Sequence, residues 1–182
     1  GVTYSLNHGV YSTVAITATT GNVDILGITN TGSGIWGQGA GATFTATTGN
    51  ILMSGFQLAG NAAVNLNGVL TATAGSVTIT GSNTTGNFAF WDNSLITAAT
   101  GISITGTSAP GNGNATISMS GAMTVTGAGA PITLTANNTA NPGVAAIADT
   151  GAITVARGGN ITFISNGIIN QTGAIALAAN TT

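Results

Sequence analysis

The sequence predicts an all-β chain, a right-handed parallel β-helix with three short strands in each rung. Three observations carry that prediction. Apolar residues alternate with polar ones at period two in short runs. A glycine-led phrase returns at a period in the twenties, the mark of stacked repeats. Gly, Asn, Ser and Thr interrupt the runs so often that helix, already disfavoured by their propensities and side-chain hydrogen bonds, cannot propagate.

The phrase is clearest at residues 17–22, "TATTGN", and again at 45–50, with near copies at 71–76 and 97–102. Alternating runs follow it: Val23-Asp24-Ile25, Ile51-Leu52-Met53, Val77-Thr78-Ile79 and Ile102-Ser103-Ile104. The pattern continues with Ile132-Thr133-Leu134, Ile153-Thr154-Val155 and Ile175-Ala176-Leu177. The glycines that precede these runs are Gly21, Gly49, Gly75, Gly101, Gly129, Gly151 and Gly173, spaced by 28, 26, 26, 28, 22 and 22 residues. Leucine-rich repeats share this period, but their Leu/Asn consensus is missing.

Three strands fit in one period. Segment 75–101 divides into "SVTITG", "NFAFW" and "SLITAATG", and segment 49–75 into "NILMSG", "AVNLNG" and "VLTATAG". Joined by turns, they form a triangular rung whose strands pair with their counterparts about 4.8 Å along the axis. Rungs of about 22–28 residues, seven to eight of them, predict a rod about 35 Å long. Inward positions then stack Val, Ile and Leu in columns, while corners take Gly and Asn, which tolerate φ > 0. No capping helix or charged terminal segment is visible, although solenoid ends need caps. Residues 1–182 therefore read as a single continuous repeat segment, excerpted from a longer chain.

Composition narrows the function classes. Charged residues are 2% of the chain, namely Asp24, Asp92, Asp149 and Arg157, against about a quarter in ordinary domains. With no basic patch, nucleic acid and anionic lipid are poor partners. No apolar run approaches the roughly 20 residues of a membrane helix. A membrane β-barrel would need aromatic girdles and a charged lumen, which 5% aromatics and four charges do not supply. Cysteine is absent, so disulfides and thiolate metal sites are excluded and an oxidising compartment is tolerated.

Phrases such as "TATTGNILMSG", "LTATAGSVTITG" and "GAITVARGGNITFISNG" resemble the repeats of filamentous-haemagglutinin-like adhesins over about Ala18 to Asn180. The resemblance implies a bacterial secreted or cell-surface protein, exported by two-partner secretion and built as a long right-handed β-helix. Shafts of that family carry more Lys, Asp and Glu than this chain, a departure that favours lateral self-association here.

Chemistry has few footholds. Enzymes on parallel β-helices need clustered carboxylates and basic residues. Counted from the anchor glycines, Asp24, Asp92 and Asp149 fall at three different points and are expected not to stack. We expect no catalytic residue, no cofactor and no metal site. His8 reads as a turn residue and Arg157 as a solvated corner.

Two surfaces are candidates for contact. Thr17, Thr19, Thr45, Thr47, Thr71, Thr73 and Thr97 flank inward Ala or apolar residues and form an outward Thr-x-Thr ladder. A second ladder is expected at Thr78/Thr80, Ser103/Thr105, Thr133/Thr135 and Thr154/Ala156. Such ladders resemble the ice-binding faces of some β-solenoid antifreeze proteins, although Thr is also a good exposed strand residue. The first ladder is expected to decay, with Ile147/Asp149 and Ile169/Gln171 in its later places. In "NFAFWDN", alternation sends Phe88 and Phe90 to one face and leaves Trp91 in a bend. Trp91, Asp92, Asn93 and Trp36 are the candidates for glycan contact, the alternative for the rings being to fill the core. Sequons at Asn83, Asn114, Asn137, Asn160, Asn170 and Asn180 leave glycosylation open.

The expected function is a structural and adhesive shaft of a secreted surface adhesin, self-assembling into fibres or a sheath. Ice binding and glycan binding are the alternatives. Expected partners are other copies of the chain, neighbouring segments of the same long protein, and cell-surface glycans, with no nucleic acid and no transmembrane segment.

Overall fold

The computed structural model describes residues 8–84, 87–108, 114–139 and 144–178. Among them there are twenty strands and no helix. The first rung contains β1 (Val10–Ser12), β2 (Ile16–Ala18) and β3 (Val23–Thr29), and the second β4 (Ser33–Gly37), β5 (Thr43–Ala46) and β6 (Ile51–Gln57). The third has β7 (Ala62–Leu66), β8 (Val69–Ala72) and β9 (Ser76–Asn83), and the fourth β10 (Phe88–Asp92), β11 (Leu95–Ala98) and β12 (Gly101–Ser108). The fifth is β13 (Ile117–Met119), β14 (Met123–Val125) and β15 (Ile132–Asn138). The sixth is β16 (Ala145–Asp149), β17 (Ile153–Val155) and β18 (Ile161–Ser165). Last come β19 (Ile168–Gln171) and β20 (Ile175–Leu177).

Every third strand pairs in parallel. Sheet A has the order β1-β4-β7-β10-β13-β16-β19, sheet B β2-β5-β8-β11-β14-β17-β20, and sheet C β3-β6-β9-β12-β15-β18. The described residues therefore form a three-sided parallel β-solenoid, and among them are six complete rungs and two strands of a seventh, against the seven to eight expected. The sheet C column Val23, Ile51, Val77, Ile102, Ile132, Ile161 advances by 28, 26, 25, 30 and 29 residues.

The inward strand face forms the core, and the columns show it; in β7 the outward Asn65 is buried as well, at 3% exposure. Phe44, Leu70, Ile96, Met123 and Ile153 stack from sheet B, and Met53, Ile79, Ile104 and Leu134 from sheet C, each at most 1% exposed. Stacking like on like keeps each column apolar, so side chains of successive rungs pack against one another.

The repeated phrase makes the corner before sheet C. Gly21 takes φ +84°, a left-handed turn that glycine adopts without strain. The Asn22 Oδ1 accepts the N–H of Asn50 at 2.9 Å, and the Asn50 Oδ1 accepts the N–H and Oγ of Ser76 at 2.8 and 3.0 Å. The corner is thus tied from rung to rung by side chains where the backbone ladder is interrupted.

Gly27, Gly55, Gly81 and Gly106 form an inward column of sheet C. A Cβ on Gly27, Gly55 or Gly81 would lie 2.0–2.2 Å from the carbonyl oxygen of Gly34, Ala63 or Ala89 in sheet A. Sheets A and C meet here backbone against backbone, so the bulk of a side chain has no room.

The register corrects several expectations. Gly151 and Gly173 precede β17 and β20, which belong to sheet B, whereas the earlier anchors precede sheet C. Both corners place a glycine shortly before an apolar-x-apolar run, Ile132-Thr133-Leu134 in sheet C and Ile153-Thr154-Val155 in sheet B, so the local pattern does not separate them. Asp92 and Asp149 do stack: Asp92 pairs with Met119, and Met119 with Asp149. Phe88 and Phe90 do not share a face, because Ala89 and Phe90 both turn inward and share the Thr116 carbonyl as acceptor. That irregularity puts Phe88 on the same side as Trp91, which lies within β10 and not in a bend.

Candidate functional site

The three sheets present three different outer surfaces. On sheet B a single threonine column runs through six rungs: Thr17, Thr45, Thr71, Thr97, Thr124 and Thr154, ending at Ala176. The ladder does not decay at Ile147/Asp149, which lie in sheet A. Thr154 belongs here and not to the second ladder, whose fourth member is Thr162 in sheet C. Thr19, Thr47, Thr73 and Thr126 flank the column, interrupted by Ala99 and Ala156, as the backbone bonds from each residue to the preceding rung show. Thr17, Thr19, Thr47 and Thr73 are exposed, while Thr45, Thr71 and Thr97 are half-buried. The other flank is Thr43, Val69 and Leu95. No charged residue interrupts these columns.

On sheet A the two tryptophans share a column. Tyr11 pairs with Trp36, Trp36 with Asn65, Asn65 with Trp91, and Trp91 with Ser118. The Tyr11 and Trp36 rings lie 5.2 Å apart, the His8 ring lies 4.5 Å from Trp36, and Phe88 stacks on Trp91 at 6.2 Å with a 20° tilt. The Tyr11 hydroxyl donates to Gln38 Oε1. Beside this column runs a polar one, Gln38, Asn67, Asn93 and Ser120, set by their backbone bonds to the preceding rung. Asn67 Nδ2 donates to Asn65 Oδ1 at 3.2 Å, and the Ser120 hydroxyl to Asn93 Oδ1 at 3.0 Å. Trp91 is 36% exposed and Trp36 half-buried, so both have rings partly open to solvent. His8 accepts the Ser33 N–H at its Nδ1, and burial lowers its pKa.

Asp92 is not part of that surface. It points into the corner between sheets A and B, fully buried, where its Oδ1 accepts the Ser94 N–H at 3.0 Å and the Ser94 hydroxyl. Asp149 repeats the arrangement two rungs on, accepting the Gly151 N–H at 2.8 Å. Each carboxylate caps its own turn and leaves a buried Oδ2 without a partner. Burial pushes the Asp92 carboxyl up to about 7, opposed by the Ser94 hydrogen bonds and reinforced by Asp149. Burial likewise raises Asp149, opposed by the Gly151 N–H and the Gln171 side chain. Both turn-capping carboxyls are buried, and neither belongs to an outer surface of the rod.

On sheet C, β3 and β6 direct Leu26, Ile28, Leu52 and Phe56 outward at 38–66% exposure, with Leu58 beside them. In the third to fifth rungs these positions become Thr, Ser and Asn, and in the sixth the Leu26 column returns to the exposed Ile164. This patch was not anticipated, because Asp24 and Ser54 in the same strands make the local alternation look conventional. Tyr11, Asn65 and Phe88 were likewise missed, since their place beside the tryptophans depends on register. No group of three or more metal-ligating residues occurs among the described residues, and no helix is long and apolar enough to cross a membrane.

These features define a β-solenoid repeat protein with differentiated faces. Compared with known proteins, the chain matches no family model, no curated protein and no solved structure.

Proposed function

We propose that the chain is a structural and adhesive shaft segment of a secreted bacterial surface protein, with no catalytic role, whose rods associate side by side. The observation that supports this most directly is the parallel pairing of every third strand in three sheets around one core, a stiff scaffold whose ladders run the length of the described residues with a register shift between Ala145 and Ile147. Low charge supports the lateral contact, because little Coulomb repulsion opposes the approach of two copies. The resemblance to filamentous-haemagglutinin-like repeats supports export and a surface location.

The apolar patch of sheet C is the face on which copies meet. Its five large side chains expose apolar area on the scale of the largest patches found on monomers, about 300–600 Å². Sedimentation velocity over a concentration series tests the association. Elongated monomers that give way to larger species are expected, with Leu26→Lys and Phe56→Lys together abolishing the larger species. Unchanged monomers at every concentration refute self-association.

The persistence of the Thr17–Thr154 column supports a second reading, ice binding. A rigid, uncharged grid of methyl and hydroxyl groups repeats every rung, about 4.8 Å along the axis. Thermal hysteresis that disappears in Thr71→Lys is the expected result on this reading, and absence of hysteresis in the parent chain removes it.

A further inference from the structure

The geometry points to sheet A as a binding strip for an extended neutral glycan, its sugar rings lying along the rod axis on Trp36 and Trp91. This stands on the sheet A surface alone and does not depend on self-association or on where the protein resides. It adds a ligand class to the adhesive reading.

Four observations converge. First, Trp36 and Trp91 stand in one column with Asn65 between them, two rungs apart, about 10 Å along the axis. In a flat, extended β-linked glycan alternate residues present the same face, so the disaccharide repeat matches that separation. Second, the platform extends beyond the two indoles. Tyr11 continues the column by one rung, and the paired inward turn of Ala89 and Phe90 frees Phe88 to lie against Trp91. Third, the amide column Gln38–Asn67–Asn93 runs parallel to the aromatic one on the same face. Aromatic faces take the apolar C–H surface of a sugar, and amides both donate to and accept from hydroxyls, so the two columns supply the two halves of sugar recognition. Fourth, the strip is uncharged: Asp92, the nearest carboxylate in sequence, is buried on the opposite side of β10. A sulfated or uronic-acid chain finds no cation there, and a neutral one meets no desolvated charge.

The tryptophans are the only two in the chain, so intrinsic emission reports on this strip alone. The test is a titration of the 182-residue protein with cellohexaose and with chitohexaose, read by tryptophan emission and by calorimetry. A saturable shift in emission with at least one of them is expected. Trp91→Ala and Trp36→Ala should each weaken binding by about tenfold, while Trp91→Phe keeps most of it. Thr71→Lys, on the sheet B face, should leave it unchanged. Far-UV circular dichroism of each variant separates loss of the ring from loss of the fold. No saturable change with either hexasaccharide at millimolar concentration overturns the assignment. So does binding of heparin alone, or equal binding by Trp91→Ala when that variant is folded.

Discussion

Replacing Gly81 by Ala adds one methyl group at the point where sheets A and C are closest. Its Cβ would sit 2.1 Å from the Ala89 carbonyl oxygen and 2.7 Å from the Ala89 carbonyl carbon. Both are backbone atoms, so neither can rotate away, and an ordinary contact requires more than 1 Å of movement. Gly81 is held by Gly55 and Gly106 in the adjoining rungs, and Phe90 next to Ala89 is packed in the core. Its φ is not in the left-handed region, so the penalty is steric alone. Overpacking costs about 1–3 kcal/mol in typical cores, and this backbone collision belongs at the upper end, about 3 kcal/mol. Gly106 is the internal control. There the nearest atoms are side-chain carbons of Ile117, Ala89 and Thr116 at 2.9–3.1 Å, and the next rung already carries Ala136 in the same column. Ala at 106 should cost about 1 kcal/mol or less, offset partly by the stiffer unfolded chain. The two variants should therefore differ in Tm by roughly 4–8 °C for a chain of this length. Because rungs of a solenoid can open separately, amide exchange resolved by residue should accompany the melt, with protection lost around β9 and β10. A Gly81→Ala protein as stable as the parent, or a Gly106→Ala protein equally damaged, refutes the close-approach argument.

Acid should stabilise the fold. Asp92 keeps its proton when folded up to about pH 7 and loses it near 4 when unfolded, so its contribution is complete below pH 4 and vanishes as pH rises through 7. The upper bound is about 4 kcal/mol, and Asp149 acts with the same sign. His8, whose folded pKa is lowered, works in the opposite sense below about pH 6.5. Melts at pH 4.5 and 7.5 should show the higher Tm in acid, and Asp92→Asn should flatten the difference; a higher Tm at pH 7.5 in the parent contradicts the buried-carboxyl account. Phe90→Ala, at a fully buried site, should cost about 3–5 kcal/mol in urea unfolding through cavity formation, and a loss below 1 kcal/mol would place the ring outside the core. Asn50→Ala removes the acceptor of two Ser76 hydrogen bonds and should cost about 1–2 kcal/mol, visible as faster exchange of the Ser76 amide.

The architecture was legible because period-two alternation and corner chemistry are local. Val23, Ile51, Val77, Ile102 and Ile132 follow their anchor glycines and occupy one column in the structure. Register was less legible. "GAITV" at 151–155 reads like the start of a sheet C strand, yet it opens β17 in sheet B, and that misplacement hid Thr154 from its column and Asp149 from Asp92. Rung length varies between 22 and 30 residues, so counting residues cannot by itself align distant rungs. The Thr17–Thr97 ladder was readable since its flanking Ala and apolar positions recur without insertion. The aromatic strip was only half readable. Trp36 and Trp91 are conspicuous one at a time, but their common column passes through Asn65, and the inward turn at Ala89–Phe90 breaks the alternation that would have located Phe88 and Asp92.

The hydrogen bonds that join successive rungs run along the rod, and the strands run across it. A pull on the two ends of the chain therefore loads these bonds head-on, at the terminal rung first, instead of shearing all ladders together. Each rung that peels away releases 26 residues in a case such as Ile51 to Val77, about 90 Å of extended chain in exchange for one 4.8 Å layer. Under tension such a rod lengthens in steps while its remaining layers keep their faces intact.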